Sequence, residues 1–375
     1  MSSLGNVRAI IAVDLDYFYA QCEEVRDPSI KEKPVVICVF SGRTEDSGAV
    51  STSNYLARKL GVRSGMPIVL AKRILKTTPG PVFLPMDMEY YESVSERIME
   101  LIRSKGDKFE QSSIDEAYLD VTTKDGADFQ IAKEIGTEIK AEILSIEKLT
   151  CTVGVGQNKL MAKMAVDSKK PDEFTVILQG SEKAFLAPLP VGKLFRIGPK
   201  TEEKLRSIGI VTVGELAVAD RTEISNLFGK NLGPDLIHWA NGIDESPVLE
   251  KAVEQMSRIV TLKNDVQHFD FREALEQMSK SLSEKLRSSR LACRSIGIIA
   301  ITTDLKVKSR SKSIAAPTQS SDEILQVSSG LFTSFFEEQH LSDSDKSKLR
   351  RVGIRLSELI PYAESKTRTL ESYFK

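Results

Sequence analysis

The sequence has no run approaching the roughly 18 apolar residues needed to span a bilayer, and its N-terminus lacks a basic region followed by an apolar one. A membrane anchor and a secretory signal are therefore not expected, and the cytoplasm is the expected compartment. Cysteine is scarce: Cys22, Cys38, Cys151 and Cys293 lie far apart, and none belongs to a paired metal or redox motif. This excludes a disulfide framework and leaves buried free thiols. No internal repeat and no low-complexity tract occurs, so solenoid and fibrous architectures drop out.

What is present is the composition of an ordinary globular protein. Its 375 residues exceed what one core usually supports, and two to four compact units are expected. The net charge of −1 hides an asymmetry: residues 251 to 375 carry 21 Lys+Arg against 16 Asp+Glu, a surplus of +5, which leaves −6 for the first 250. Between positions 287 and 312, Arg287, Arg290, Arg294, Lys306, Lys308, Arg310 and Lys312 face only Asp304. A basic region on an otherwise acidic chain suits an anionic polymer, because neutralising phosphates releases counterions.

Strand-like runs at Arg8 to Val13, Pro34 to Phe40, Ala117 to Val121, Cys151 to Val155 and Thr175 to Leu178 alternate with helical patterns at Met88 to Ile102 and Phe129 to Ile146. Two helices over an antiparallel sheet would fit. Residues 182 to 245 read as short helices punctuated by glycine, and Asp244 to Gln255 reads as a linker. Strands are then expected at Ile259 to Leu262, Ser295 to Thr302, Lys306 to Ile314 and Arg350 to Leu356, with helices at Phe271 to Arg290 and Ser321 to Phe336.

Asp14 follows the apolar strand Arg8 to Val13, and Asp115-Glu116 precedes the strand Ala117 to Val121. A carboxylate there is costly unless a cation or donors offset its desolvation. Carboxylates drawn from two segments about a hundred residues apart can hold Mg²⁺, which takes oxygen ligands and leaves positions open for substrate phosphates. A pair of ions about 3.5 to 4 Å apart clamps the attacking and leaving oxygens of a phosphoryl displacement. Acidic residues at strand ends also serve as turn formers and caps, and on spacing alone hydrolysis, cyclisation and transfer all stay open.

The surroundings narrow the choice. Tyr17, Phe18 and Tyr19 follow Asp14 and Asp16, Thr52, Tyr55 and Arg58 supply phosphate donors, and the stretches Gly154 to Lys163 and Ser168 to Pro171 add a turn, a helix and a second cationic group. The run Asp14 to Ala20, Ser41-Gly42-Arg43, Gly48-Ala49-Val50, Tyr55-Leu56-Ala57-Arg58, Ser113 to Tyr118, Asn158-Lys159, Ala162-Lys163 and Lys170-Pro171 together resemble the Y-family DNA polymerases, in the polymerase IV (DinB-like) branch of archaea and bacteria. The resemblance covers essentially the whole length. It sets aside nucleotidyl cyclases, which would leave the helical unit and the basic strand without a purpose, and a non-catalytic scaffold, which would not keep Asp14, Asp115 and Glu116.

The resemblance implies a multidomain α+β right hand: a ferredoxin-like palm (1–18 and 80–178), small fingers (19–79), a helical thumb (179–244), a linker (245–256), an α+β little finger (257–362) and a flexible tail (363–375). It implies a DNA-directed DNA polymerase that extends a primer by two-metal catalysis with Mg²⁺. Low-fidelity, low-processivity translesion synthesis is expected, without an editing exonuclease. Asp14, Asp115 and Glu116 would be catalytic and hold the two ions together with the Leu15 carbonyl, while Asp16 would hydrogen-bond beneath the site. A regular strand points neighbours such as Asp115 and Glu116 to opposite faces, so a local twist or bulge is required. Triphosphate contacts map onto Thr52, Tyr55, Arg58 and Lys170, with amides near Tyr17 and Phe18. Tyr19 matches the steric gate against a 2′ hydroxyl, and Val39, Gly48 and Ala49 match the roof over the nascent base pair.

For DNA, Arg196, Gly198 and Lys200 fall in a stretch similar to the family's helix-hairpin-helix, with Arg196 where glycine is usual. Lys306, Lys308, Arg310 and Lys312 alternate with period two and should share one sheet face that grips the backbone. Thr367, Leu370, Tyr373 and Phe374 resemble a peptide that binds a sliding clamp of the PCNA type. The expected partners are primer-template DNA, a deoxynucleoside triphosphate and the clamp, with the polymerase itself a monomer.

Overall fold

A computed structural model describes residues 7–106, 108–124, 126–250, 252–266, 269, 271–339 and 348–362. The clamp peptide at Thr367, Leu370, Tyr373 and Phe374, with the rest of the expected tail, lies outside the described residues. The chain divides into two units, one of residues 1–37, 51–64 and 74–251 and the other of 38–50, 65–73 and 252–375. The segment 19–79 expected as one piece is thus shared between them.

The first unit begins with β1 (Ile10–Leu15) and α1 (Phe18–Arg26). In chain order, β2 (Val35–Phe40), β3 (Gly48–Ser53), α2 (Tyr55–Lys59), α3 (Ile68–Ile74) and β4 (Val82–Pro85) follow, with the three strands hydrogen-bonded in the order β3-β2-β4; α3 up to Arg73 and the parts of β2 and β3 within 38–50 count with the second unit. Next come α4 (Met88–Arg103), β5 (Lys108–Gln111), β6 (Glu116–Asp120), α5 (Phe129–Glu147), β7 (Cys151–Gly156), α6 (Lys159–Ser168) and β8 (Phe174–Val176). Their sheet runs β5-β6-β1-β7-β8 and is antiparallel except for the β7–β8 pair, which is parallel.

All six residues of β1 are buried because both faces of this central strand are covered. Ile11, Val13 and Leu15 join the core with Ile98 and Ile102 of α4 and Ile139 and Ile143 of α5, while Ile10 and Ala12 meet Ala162 and Val166 of α6. Double coverage explains why the strand reads as an unbroken apolar run.

Five short helices follow: α7 (Glu182–Leu186), α8 (Pro199–Ser207), α9 (Val213–Ala217), α10 (Arg221–Phe228) and α11 (Leu232–Ala240), around Leu205, Val213, Leu216, Ile224 and Leu236. The expected linker is not loose at its start. Arg8 donates to the Asp244 and Ser246 carbonyls, Val248 is buried, and Arg103 makes a paired hydrogen bond to Glu250 at 3.0 and 2.8 Å.

In the second unit, β9 (Gln255–Val266), α12 (Arg272–Ser288), β10 (Leu291–Thr302), β11 (Val307–Thr318), α13 (Ser321–Gln339) and β12 (Leu349–Pro361) follow in turn, and the four strands form an antiparallel sheet in the order β11-β10-β12-β9. Ile296, Ile298, Val352, Ile354 and Leu356 pack against Leu275, Met278 and Leu282 of α12 and Phe332, Phe335 and Phe336 of α13. No helix among the described residues is long and apolar enough to cross a membrane, and the four cysteines are free and buried.

Candidate active site

Strand β1 brings Asp14 opposite Glu116 on β6 and Thr152 on β7. Asp115 lies in the bend before β6, where its carbonyl accepts the Leu15 amide at 2.9 Å. It is therefore free of strand alternation, which resolves how neighbouring carboxylates reach one site. Asp14, Leu15, Asp115 and Glu116 line a cavity of about 380 Å³ with Tyr17, Phe18, Tyr19, Thr52, Tyr55, Arg58 and Lys170. Ser51, Ser64 and Ile114 also line it, beyond the residues expected from the sequence.

Each carboxylate has a partner that fixes it. Ser113 donates to Asp115 at 2.6 Å, and Tyr118 donates to Glu116 at 2.6 Å. Burial, then the Glu116 charge, pushes the Tyr118 phenol up, so it stays a donor. Asp14 Oδ2 takes two ammonium groups, Lys163 Nζ at 2.7 Å and Lys170 Nζ at 2.6 Å. Burial opposes charge on Lys163, but Asp14, Glu116 and Asp167 outweigh it and raise its pKa.

Asp16 is buried beneath the cavity, accepting from Thr152 at 2.8 Å, Thr150 at 2.9 Å and the Asp172 amide at 2.9 Å. Burial raises its pKa against these bonds. It does not line the cavity among the described residues; it ties down the loop that carries Lys170.

Three carboxylates and a carbonyl are hard oxygen donors, a set that suits a divalent cation. With both lysines on Asp14, no three acidic, imidazole or thiol groups among the described residues cluster closely enough to hold a metal. The donors fit the ion by chemistry, and both ammonium groups lie on a single oxygen, Oδ2, of Asp14.

The anion-binding groups come from the end of β3, from α2 and from the start of α1. Arg58 donates to Thr52 at 3.1 Å and to the Ser53 carbonyl at 2.8 Å, and lies over the Tyr55 ring at 5.1 Å. Burial, then the Asp16 charge, pushes the Tyr55 phenol up to about 12. Tyr17 has φ +36 and caps α1; Ala20 and Gln21 already donate to its carbonyl at 3.0 and 3.1 Å, which leaves the amides at the very start of the helix, Phe18 among them, outside the ladder. The Phe18 ring is buried, so only its backbone is available there.

Tyr19 stacks on the buried Tyr91, centroids 4.5 Å apart and planes 14° apart. Tyr91 is anchored by donating to Glu23 at 2.8 Å. Burial, then Asp115, raises the Tyr19 phenol. Val39, Gly48 and Ala49 belong to the second unit and do not line the cavity. Gly48 has φ +146, and a Cβ there would fall 2.2 Å from the Val39 carbonyl, so only glycine fits beside β2.

Arg196 keeps a glycine-like φ of +75, so the turn before α8 survives the substitution. Its guanidinium lies 3.5 Å from Asp244 and 5.0 Å from the Trp239 ring centroid, so it has protein partners competing with any phosphate. Gly198 caps α8, and Lys200 is exposed in its first turn.

The basic strand has the expected alternation, with Lys308 and Lys312 exposed. Lys308, Arg310 and Lys312 share a face, but they pair with Ala300, Ile298 and Ile296, whose side chains enter the core beneath the helices. Opposed residues project to one side. Arg310 accordingly pairs with Glu338 of α13, and Lys308 and Arg310 lie over Phe335 at 5.8 and 5.5 Å. Lys306 precedes β11 and pairs with Asp304 at 2.9 Å. The opposite face is uncovered by helices among the described residues and carries Ser309, Ser311, Gly297, Ile299, Arg351 and Arg355. The two arginines are not among the contacts expected from the sequence; their period-two spacing around Gly353 is the available signal.

Three family models match. The impB/mucB/samB family covers residues 13–167, its C-terminal domain 253–371, and the IMS family HHH motif 180–210. The chain is 43% identical over 359 residues to DNA polymerase IV 1 of Methanosarcina mazei, covering 94% of this chain and 96% of that one. A solved Y-family DNA polymerase chimera of Dbh and Dpo4 matches with TM-score 0.83 at 36% identity, over 94% of this chain and 99% of its own. An insertion ternary complex of Dbh DNA polymerase matches with TM-score 0.69 at 36% identity over the same shares.

Proposed function

The chain belongs to the Y-family DNA polymerases, in the DNA polymerase IV branch, and from that premise we propose which residues perform its reaction. It is a DNA-directed DNA polymerase of translesion synthesis, and it depends on a divalent metal. We read that metal as two Mg²⁺ ions held by Asp14, Asp115, Glu116 and the Leu15 carbonyl. When bound, they supply Lewis acidity, lowering the pKa of the primer 3′ hydroxyl and countering charge on the transferring phosphoryl group.

The chain's own groups do the positioning. Arg58, Thr52, Tyr55 and Lys170, with the amides of Tyr17 and Phe18, hold the triphosphate where charge grows on the β and γ phosphates. Asp16 keeps the Lys170 loop in place. Ser113 and Tyr118 orient Asp115 and Glu116. The Tyr19 ring, backed by Tyr91, excludes a 2′ hydroxyl by collision.

Primer-template DNA is the macromolecular substrate, and the matched ternary complex supports this. Gly198 and Lys200 meet its phosphates. Ser309, Ser311, Arg351 and Arg355 meet it on the open sheet face, where small residues let a backbone approach and the arginines supply charge. Arg196, which also faces Asp244, is read as a further phosphate contact. The divisions into palm, fingers, thumb, linker and little finger follow the boundaries given above. The enzyme works as a cytoplasmic monomer, and clamp tethering through residues 367–375 raises its local concentration on the primer.

The observation that carries the reading is the convergence of Asp14, Asp115 and Glu116 on one cavity with Arg58, Tyr55, Thr52 and Lys170. Template-directed primer extension with Mg²⁺ tests it: wild type extends, while Asp115→Ala and Glu116→Ala do not. A wild type that fails to extend, or variants that extend equally, would reject it. Deleting residues 367–375 should abolish stimulation by the clamp; unchanged stimulation would remove the tail's role.

A further inference from the structure

Two lysines neutralise Asp14, and they differ in how firmly they are held. Lys170 sits on the loop after α6 with its side chain 28% exposed, so solvent can receive it. Lys163 is 9% exposed and projects from α6 itself. That helix lies very close to β7: a Cβ on Gly154 would fall 2.2 Å from the Ala162 carbonyl oxygen, and one on Gly156 2.6 Å from the Ala162 amide. Its start is pinned twice, by the Asn158 side chain accepting from Met161 at 2.9 Å and by the Asp244 carboxylate accepting from Leu160 at 3.2 Å. Lys163 therefore stays beside the carboxylates whatever else enters. Its Nζ lies 2.7 Å from Asp14, 3.4 Å from Glu116 and 3.4 Å from Asp167.

We propose that Lys163 is a resident counter-ion of the carboxylate cluster, holding Asp14 while no metal is bound and passing to Asp167 when a divalent cation takes that oxygen. The proposal rests on the metal reading above and concerns how the site accepts its ion. Buried carboxylates without a counter-charge are strongly destabilising. A fixed ammonium removes that cost, but it also competes with any cation arriving for Asp14. Weak occupancy by metal alone follows, and the triphosphate's own charge is what tips the site toward binding.

Mn²⁺ titrated into the full-length protein without DNA or nucleotide, with free Mn²⁺ read by electron paramagnetic resonance, tests this. Lys163→Met should bind Mn²⁺ about tenfold more tightly than wild type, since a close competing cation is gone. Asp167→Asn should bind about threefold more weakly, having lost the place where the lysine is received. Asp115→Ala should lose the site. If Asp115→Ala loses binding while Lys163→Met matches wild type or binds more weakly, the counter-ion proposal is overturned and the metal reading stands. If Asp115→Ala binds like wild type, the metal reading itself falls. An unchanged Asp167→Asn overturns the transfer to Asp167. Should Lys163→Met fail to fold, Lys163→Gln removes the charge while keeping a donor and serves in the same comparison.

Discussion

In the first unit Asp14 on β1, Asp16 just after it and Lys163 on α6 are all buried, and each has named partners within hydrogen-bonding reach. In the second unit Lys306, Lys308 and Lys312 stand in solvent on or beside an edge strand, and Arg351 and Arg355 lie on an uncovered face. A buried charge in a preorganised site acts strongly and alone, because little water screens it. An exposed charge acts weakly and in company, through counterion release along a polymer. On the function proposed above, the same residue types serve chemistry in one place and adhesion in the other.

The comparison breaks most readily at the carboxylates. Asp115→Ala or Glu116→Ala should lower the single-turnover insertion rate by roughly 10³-fold or more, the scale of losing a preorganised electrostatic group, with DNA affinity little changed. A large loss of DNA affinity instead would mean these charges serve adhesion as well. Next in size is Tyr19→Ala, for which discrimination against ribonucleotides should fall by about 10²; competitive single-nucleotide incorporation measures it, and unchanged sugar selectivity would remove the gate.

In the second unit, the double variant Arg351→Ala with Arg355→Ala should lower the slope of log affinity against log salt by about 2 without altering sequence preference. Arg310→Ala with Lys312→Ala should move that slope less, since Glu338 already neutralises Arg310; equal effects would restore the basic strand as the gripping face. Smallest of all, Arg310→Ala should shift the unfolding temperature by about 2 °C or less, as an exposed ion pair contributes little.

The legibility of each region follows from its burial. Asp14, Asp115 and Glu116 stand out in the sequence because acid beside an unbroken apolar strand is costly to bury, and the motifs around them set it apart from turn formers and caps. Lys163 is harder to read, since a lysine on a helix ordinarily belongs to a solvated face, and only the close approach at Gly154 and Gly156 turns it inward. Strand β5 is hidden because Lys108, Glu110 and Gln111 carry no apolar alternation, although Glu110 is buried and bonded to Lys159 at 2.8 Å. Strands β9 and β12 are longer than their apolar runs, since pairing continues past Arg258 and Glu358 where one face meets solvent. Period two places Lys308, Arg310 and Lys312 together, yet it cannot say which face they share. That depends on the register with Ile296 and Ile298, a long-range fact absent from local spacing.

With Tyr19 as the proposed gate, its stacking on Tyr91 separates two kinds of error. A wrong base alters a letter and leaves a strand as durable as before, whereas a ribose leaves a hydroxyl beside its own phosphodiester and makes the strand prone to self-cleavage. A translesion polymerase whose proposed gate is braced by a second ring, itself anchored to Glu23, can misspell a genome while still writing it in a polymer that lasts.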